Sequence, residues 1–394
     1  MKYLNSEVAE LKSRGGIHTA KEISSQPDLW RRTYSKLLEE KYQIEEFFEK
    51  VWKSNCSYVI LTGAGTSAFI GESLVGSFQK KWGIPCRAIA TTDIITHPEN
   101  YFIKTAPTLL ISFARSGDSP ESLATLEMAR EHCDTLFELN ITCNKEGKLA
   151  KIAKNKNSHV FLLPEGANDN SLAMTSSFSS MLLAGLLILN IREIKQIKDV
   201  VNKISELGEY ILDKKCSDLQ KVAMMNYERM VFLGSGSLFG IAHESHLKVQ
   251  EMTDGKVICK YDSFLGFRHG PKAVVNDSTM IVYLFSNNAY SSLYEIDLVK
   301  SVLETNAGEK SIAIGDPIGK EANNLEYNLS IQFPGGTKGL PEEFLSMVYI
   351  LPAQIIGFFK SLSLGLSPDS PSKRGAISRV VQGVKIYYPV LDNL

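Results

Sequence analysis

The 394-residue sequence is short of net charge: 43 lysines and arginines face 44 aspartates and glutamates, leaving −1 at pH 7. Such a balance gives no electrostatic footprint for nucleic acid or an anionic membrane, so an anionic ligand has to be held by a local site. Its six cysteines (Cys56, Cys86, Cys133, Cys143, Cys216 and Cys259) are scattered, with no C-x-x-C pair and no metal-type spacing. That pattern supports neither a thiolate metal site nor a disulfide framework, and it points to the reducing cytoplasm. The opening MKYLNSEVAELKSRGG has no apolar stretch of the kind a secretory signal needs. The most apolar run, MLLAGLLILNI at 181–191, is too short to span a bilayer and reads as a core helix. Three glycine motifs are also missing: no third glycine completes a dinucleotide fingerprint after GAG, no Gly-Lys-[Ser/Thr] makes a P-loop, and no Gly-x-Ser-x-Gly makes a hydrolase elbow.

What is present is alternation. With 44% hydrophobic and 22% charged residues the chain is of ordinary globular composition, and its length allows two domains. DLWRRTYSKLLEEKYQ places Trp30, Tyr34, Leu37, Leu38 and Tyr42 on one helical face, with a break expected at Pro27 and a new helix from Asp28. Short apolar runs follow at SYVILTG (57–63), CRAIA (86–90), PTLLISFA (107–114), FELNITC (137–143) and HVFLLPEG (159–166), mostly separated by helical segments. Strands alternating with helices give a parallel sheet covered on both faces. After a polar helical stretch, REIKQIKDVVNKISELGEYILDKK, the pattern returns: RMVFLGSGSLFGIAHES (229–245) repeats YVILTGAGTSAFIGES (58–73), and STMIVYLFS, KSIAIGD and LSIQFPGG answer later strands. The chain is therefore read as a duplicated α/β unit.

The copies differ where chemistry would sit. The second carries Glu244, Lys248 and Glu251 at i, i+4 and i+7, on one helix face, followed by Arg268-His269-Gly270-Pro271. Carboxylates, an ammonium and an imidazole together can move protons on a small polar substrate, although the same spacing makes a plain surface ion-pair ladder. The first copy carries ARSGDSPES (114–122) where the second has SNNAYSS. Ser116, Asp118 and Ser119 before Pro120 would cap a helix, with Glu121 a partner for Asp118; Arg115 beside free hydroxyls at a helix head also suits a phosphate. GAGTS adds Thr66 and Ser67 at the carboxyl edge of the sheet, and SLAMTSSF adds Thr175, Ser176 and Ser177. Three hydroxyl-rich helix starts in one half suggest a sugar phosphate. His243 and His246 flank Glu244, yet no Asp or Cys at recognisable spacing makes them metal ligands, and no metal is expected.

Taken together, GAGTS, ARSGDSPES, the Glu/Lys/Glu helix and RHGP resemble the sugar isomerase (SIS) domain family, used twice, over nearly the whole chain from HTAKEISSQP to QGVKIYYP. The likeness is to the tagatose-6-phosphate ketose/aldose isomerases, a family that includes galactosamine-6-phosphate deaminases, and more distantly to the isomerase half of glucosamine-6-phosphate synthase. It implies an N-terminal helical arm (1–50), a phosphosugar-binding SIS domain (51–195), a connecting helix (196–220) and a second SIS domain with the catalytic helix, the RHGP loop and the tail (221–394). It implies that Thr66, Ser67, Arg115, Ser116, Ser119, Thr175 and Ser176 bind the substrate. Ala114 and Arg115 stand where the synthase has serine and glutamine. Glu251 aligns with the base that shuttles a proton between C1 and C2, and His269 with a ring-opening histidine that reaches the neighbouring subunit's site. Glu244 and Lys248 match polar residues on the same helix. The implied reaction turns a hexosamine 6-phosphate, foremost D-galactosamine 6-phosphate, into tagatose 6-phosphate and ammonia, in a cytoplasmic homodimer needing no cofactor. A plain isomerase on a neutral sugar phosphate, or a non-catalytic phosphosugar-binding regulator, are the alternatives. The second would normally need an effector segment, and the first 50 residues show no basic helix-turn-helix pattern.

Overall fold

The computed structural model describes residues 1–152, 156–305, 310–316, 325–381 and 383–387, so Gln382, Tyr388 and Pro389 of QGVKIYYP lie outside the described residues. Two five-stranded sheets form, every pairing within them parallel. The first holds β1 (Tyr58–Thr62), β2 (Cys86–Ala88), β3 (Thr108–Ala114), β4 (Leu136–Thr142) and β5 (Ser158–Leu162), in the order β2-β1-β3-β4-β5. The second holds β6 (Arg229–Leu233), β7 (Ile258–Asp262), β8 (Thr279–Leu284), β9 (Lys310–Ile314) and β10 (Leu329–Ile331), in the order β7-β6-β8-β9-β10. The two orders are the same, which makes the duplication a structural fact. Central strands are apolar throughout because helices cover both faces: β1, β3 and β8 are buried at every position. The chain reverses direction across the sheet between β1 and β3 in one copy and between β6 and β8 in the other. In open α/β sheets that crevice is where ligands bind.

The first 50 residues are largely helical and pack into the body of the protein. They form the helices α1 (Ile17–Glu39) and, with a little more chain, α2 (Lys41–Lys53), and α1 lies buried against α5 (Ser176–Leu189) and α6 (Lys198–Tyr210). The expected break at Pro27 does not occur. Proline cannot donate to the Ile23 carbonyl one turn back, and the Gln26 Nε2 amide does so instead at 3.1 Å, while also reaching Gln354 Oε1 at 2.6 Å. Tyr42 leaves the predicted face: it sits in α2 and is exposed.

One continuous apolar core runs through both halves, joining α1, α5, α10 (Leu351–Ser363) and the inner faces of the two sheets; two smaller clusters lie on the outer faces. The apolar stretch Glu342–Ser363 is long enough to cross a bilayer but is wholly buried in this core. The halves meet along two antiparallel helices, α3 (Thr66–Trp82) and α7 (Ser237–Met252). Contact is closest at Gly240, where a Cβ would stand 2.6 Å from the Ser73 amide nitrogen, so only glycine allows the approach. That approach sets Thr66, at the head of α3, against Lys248, near the end of α7.

Candidate active site

The head of α3 is the Gly63–Ser67 turn. Gly65, at φ 54° and ψ −128°, swings the chain from β1 into the helix, and Gly236 does the same with φ 57° and ψ −129° before α7. On the neighbouring strand, β3 ends at Ala114 and the 115–119 loop leads to α4 (Pro120–His132), with Pro120 at its first position. Between these two helix heads lies a cavity of about 110 Å³. Ser67, Ser116, Ser119 and Ser122 line it, together with Glu121 and Met174. The Ser119 side chain forms no cap; its hydroxyl meets that of Ser122 at 2.6 Å. Four hydroxyls between two positive helix ends make an anion cradle.

Across the domain boundary stand the three residues of α7. Lys248 Nζ lies 2.7 Å from Glu251 Oε2, 3.3 Å from Glu244 Oε1 and 3.1 Å from Thr66 Oγ1. The Lys248 and Glu244 side chains are 0% exposed, whereas Glu251 is 23% exposed. The ladder is therefore not a surface feature. One ammonium cannot offset two carboxylates in a dry site, and the deeper one yields. Burial pushes the Glu244 carboxyl up to about 8 against the pull of Lys248, with Glu251 adding to the rise, and its Oε2 has no hydrogen-bond partner. Burial works to lower Lys248, but the two carboxylates outweigh it and hold the ammonium above its ordinary range. Glu251 is left as the partly open, lysine-bound carboxylate of the group.

Not every predicted substrate contact faces this cavity. Thr175 and Ser176 are turned inward at the head of α5, where Asp169 takes them up: its carboxylate accepts from the amides of Thr175, Ser176 and Ser177 at 2.9–3.1 Å and from all three hydroxyls. The third hydroxyl-rich helix start thus binds an internal carboxylate. Arg115 lines the cavity, but its guanidinium donates to the carbonyls of Ser171, Leu172 and Arg379, and burial lowers its pKa. It ties the 171–172 loop and the C-terminal segment to the cradle. Thr66 is held by Lys248 and donates to Glu244 at 3.4 Å, so it belongs with the proton-transfer group. His269 is exposed. The His243 ring is stacked between Phe69 and Tyr261 at 3.6 and 3.7 Å and meets Glu72 at 2.8 Å, and no metal-ligand cluster occurs among the described residues.

Sequence reasoning missed Asp169, Arg379 and the placement of Glu121. Asn168-Asp169-Asn170 ahead of the hydroxyl run was a legible capping signal. Glu121 does not partner Asp118, whose carboxylate accepts from the Lys148 amide; Glu121 Oε2 is buried without a partner beside the cavity. Nothing local announces Arg379, which crosses from the tail to donate to the Asp169 carbonyl at 2.9 Å.

Comparison with known proteins agrees with this architecture. The SIS domain family model matches residues 54–191. The D-galactosamine-6-phosphate deaminase AgaS of Shewanella sp. (strain ANA-3) is 38% identical over 96% of this chain and 94% of its own length. The protein of the same name from Escherichia coli is 34% identical over 94% of this chain and 96% of its own. Among solved structures, the tagatose-6-phosphate ketose/aldose isomerase of Escherichia coli superposes with a TM-score of 0.86 at 32% identity, covering 98% of this chain and 99% of that one. A Clostridium novyi NT structure, provisionally assigned the same activity, reaches 0.93 at 42% identity over 99% of this chain and 100% of its own.

Proposed function

The chain belongs to the SIS-domain family of the AgaS D-galactosamine-6-phosphate deaminases, and from that premise we propose that it is the deaminating isomerase of a hexosamine 6-phosphate, D-galactosamine 6-phosphate foremost. The phosphate lies in the cradle of Ser67, Ser116 and Ser119, which leaves the sugar's C1 and C2 toward α7. His269 opens the ring by proton transfer between O5 and O1. Glu251 then takes the C2 proton and returns it to C1, which moves the double bond and leaves an imine at C2. Water adds to that carbon, the C2–N bond breaks, and the products are tagatose 6-phosphate and ammonia. Lys248 places Glu251 through their 2.7 Å ion pair, and Glu244, neutral near pH 7, completes its setting without adding a second negative charge. No cofactor enters any of these steps.

The observation that carries the reading is the meeting of Lys248 with Thr66, Glu244 and Glu251 across the domain boundary, next to the hydroxyl cradle. Thr175 and Ser176 support the loop and do not enter the binding set. The exposed His269 fits a homodimer in which it serves the neighbouring site. The domain division at 51–195 and 221–394 follows the two sheets, although the shared core makes the halves one folding body. Six unpaired thiols suit a cytoplasmic protein.

The test is ammonia release from galactosamine 6-phosphate and glucosamine 6-phosphate, with ketose followed in the same tubes. Ammonia and tagatose 6-phosphate formed one for one support the proposal. Ketose from neutral aldose phosphates alone would leave a plain isomerase, and binding without turnover would leave a phosphosugar sensor.

A further inference from the structure

One residue of the anion cradle is not accounted for by an anion alone. Ser67, Ser116, Ser119 and Ser122 carry hydroxyls, which donate or accept as the ligand requires and suit any tetrahedral oxyanion. Glu121 is of another kind. It stands second in α4, at the helix head that borders the cavity; it lines that cavity, and it is only 7% exposed. Its Oε2 is buried and has no hydrogen-bond partner. A carboxyl oxygen held out of water is costly unless something donates to it. In a binding cavity, the ligand is the group placed to do so.

The charged groups nearby are directed elsewhere. Arg115 and Arg379 line the cavity with Glu121, and both turn to main-chain carbonyls: Arg115 to those of Ser171, Leu172 and Arg379, and Arg379 to that of Asp169. Asp169 and Glu251 act on Arg115 through their charge, and Asp118 accepts from the Lys148 amide. On the segments packed against α4, Asp93 of Thr91–Ile94, Glu99 of Pro98–Asn100, and Lys148 and Lys151 of Lys148–Ile152 are exposed and do not line the cavity.

The phosphate and sulfate monoesters of a sugar have nearly the same size and shape, and their singly charged forms differ by one proton. A phosphate ester, whose second pKa is about 6, can present a P–OH to Oε2 in a charge-assisted bond of roughly 2.5–2.7 Å. A sulfate ester in the same pose offers only acceptors. We propose that Glu121 sets the specificity of the cradle: its Oε2 takes a proton-bearing phosphate oxygen, so the site accepts a hexosamine 6-phosphate and refuses the 6-sulfate. This rests on the phosphosugar reading above and adds to it the means by which the ester is chosen. A free phosphate ester loses its second proton above about pH 6. Binding at higher pH therefore draws a proton from solvent, which the phosphate and Glu121 share in the complex.

The experiment is calorimetric titration of the full chain with galactitol 6-phosphate and galactitol 6-sulfate, esters without the carbonyl carbon that turnover needs. Wild type and Glu121→Gln are compared at pH 7 and 8, in two buffers of different ionisation enthalpy. Wild type is expected to bind the phosphate ester at least about tenfold more tightly than the sulfate ester. Between the two pH values its affinity for the phosphate ester should fall by up to about tenfold, with uptake approaching one proton. In Glu121→Gln the amide can donate to either ester, so the sulfate ester should bind nearly as the phosphate ester does, and the fall with pH should disappear. A purely structural role for Glu121 would weaken both esters together and leave their ratio and the proton uptake as in wild type. That result overturns the proposal, as does a sulfate ester that binds wild type as tightly as the phosphate ester. If Glu121→Gln fails to fold, wild type still decides, because phosphate binding without proton uptake at pH 8 ends the proposal. Binding of neither ester removes the cradle and this proposal with it. Absence of ammonia release, with the phosphate ester bound and the sulfate ester refused, overturns the deaminase reading alone and leaves the role of Glu121 standing.

Discussion

At the scale of single residues, the pairing that matters is Lys248 with Glu251. A carboxyl group held 2.7 Å from an ammonium is fixed in orientation, which a base acting at carbon would need. Glu251→Gln is expected to lower kcat by about 10²–10⁴-fold while phosphosugar affinity changes little, because general-base catalysis contributes roughly that much. Calorimetry and stopped turnover assays on the same preparation separate the two; lost binding with normal turnover per bound substrate would contradict the role. His246 offers a second test. Burial depresses its imidazole to about 4, against the acceptor on the His243 carbonyl, which raises it. A base whose folded pKa lies below the unfolded one takes up more protons on unfolding. The stability it contributes is therefore complete above pH 6.5 and is lost as pH falls toward 4. Wild type should lose a few degrees of melting temperature over that interval that His246→Gln keeps; parallel curves for the two proteins would rule this out.

At the scale of elements, α1 runs unbroken through Pro27 because one side chain replaces a missing main-chain donor. Gln26 bonds the Ile23 carbonyl and Gln354, and it accepts from Ser179, which in turn accepts from Trp30 Nε1 at 2.9 Å. Every link in this chain is buried. Gln26→Leu would orphan a carbonyl and two side-chain partners, each costing about 1–3 kcal/mol when buried. Urea unfolding should register a loss of at least about 2 kcal/mol on that basis, and an unchanged midpoint would mean the helix does not depend on Gln26. The same reasoning shows why α3 and α7 approach so closely at Gly240. Distance between helices is set by the smallest residue at their crossing, and here that distance decides whether Thr66 reaches Lys248.

At the scale of the molecule, the exposed His269 bears on assembly. If each site draws Glu251 from one protomer and His269 from the other, two inactive variants should complement. Mixing equal amounts of refolded Glu251→Gln and His269→Ala chains makes about half of the dimers mixed, and one site in each of those has both groups intact, so about a quarter of wild-type activity should return. No recovery after confirmed subunit exchange would place His269 in the site of its own chain. The common core that runs through both halves also means that the two domains should unfold together, since neither buries its inner face alone.

The sequence determined the architecture because its signals are local. Apolar runs of strand length, glycine turns after them and helical spacing repeat twice, and each depends on residues a few positions apart. Glu244, Lys248 and Glu251 were legible for the same reason, as was the hydroxyl cradle of Ser67, Ser116 and Ser119. The tertiary structure decided what depends on distant chain segments. The edge strand Ile258–Asp262, between Glu251 and His269, depends on its pairing with β6. Thr175 and Ser176 turn to Asp169, and Arg115 donates to the Arg379 carbonyl from the far end of the chain. Burial decided most of all. The spacing of α7 suits a solvated ion-pair ladder as well as a buried cluster, and it is the packing of α3 on α7 that removes water from Lys248 and Glu244.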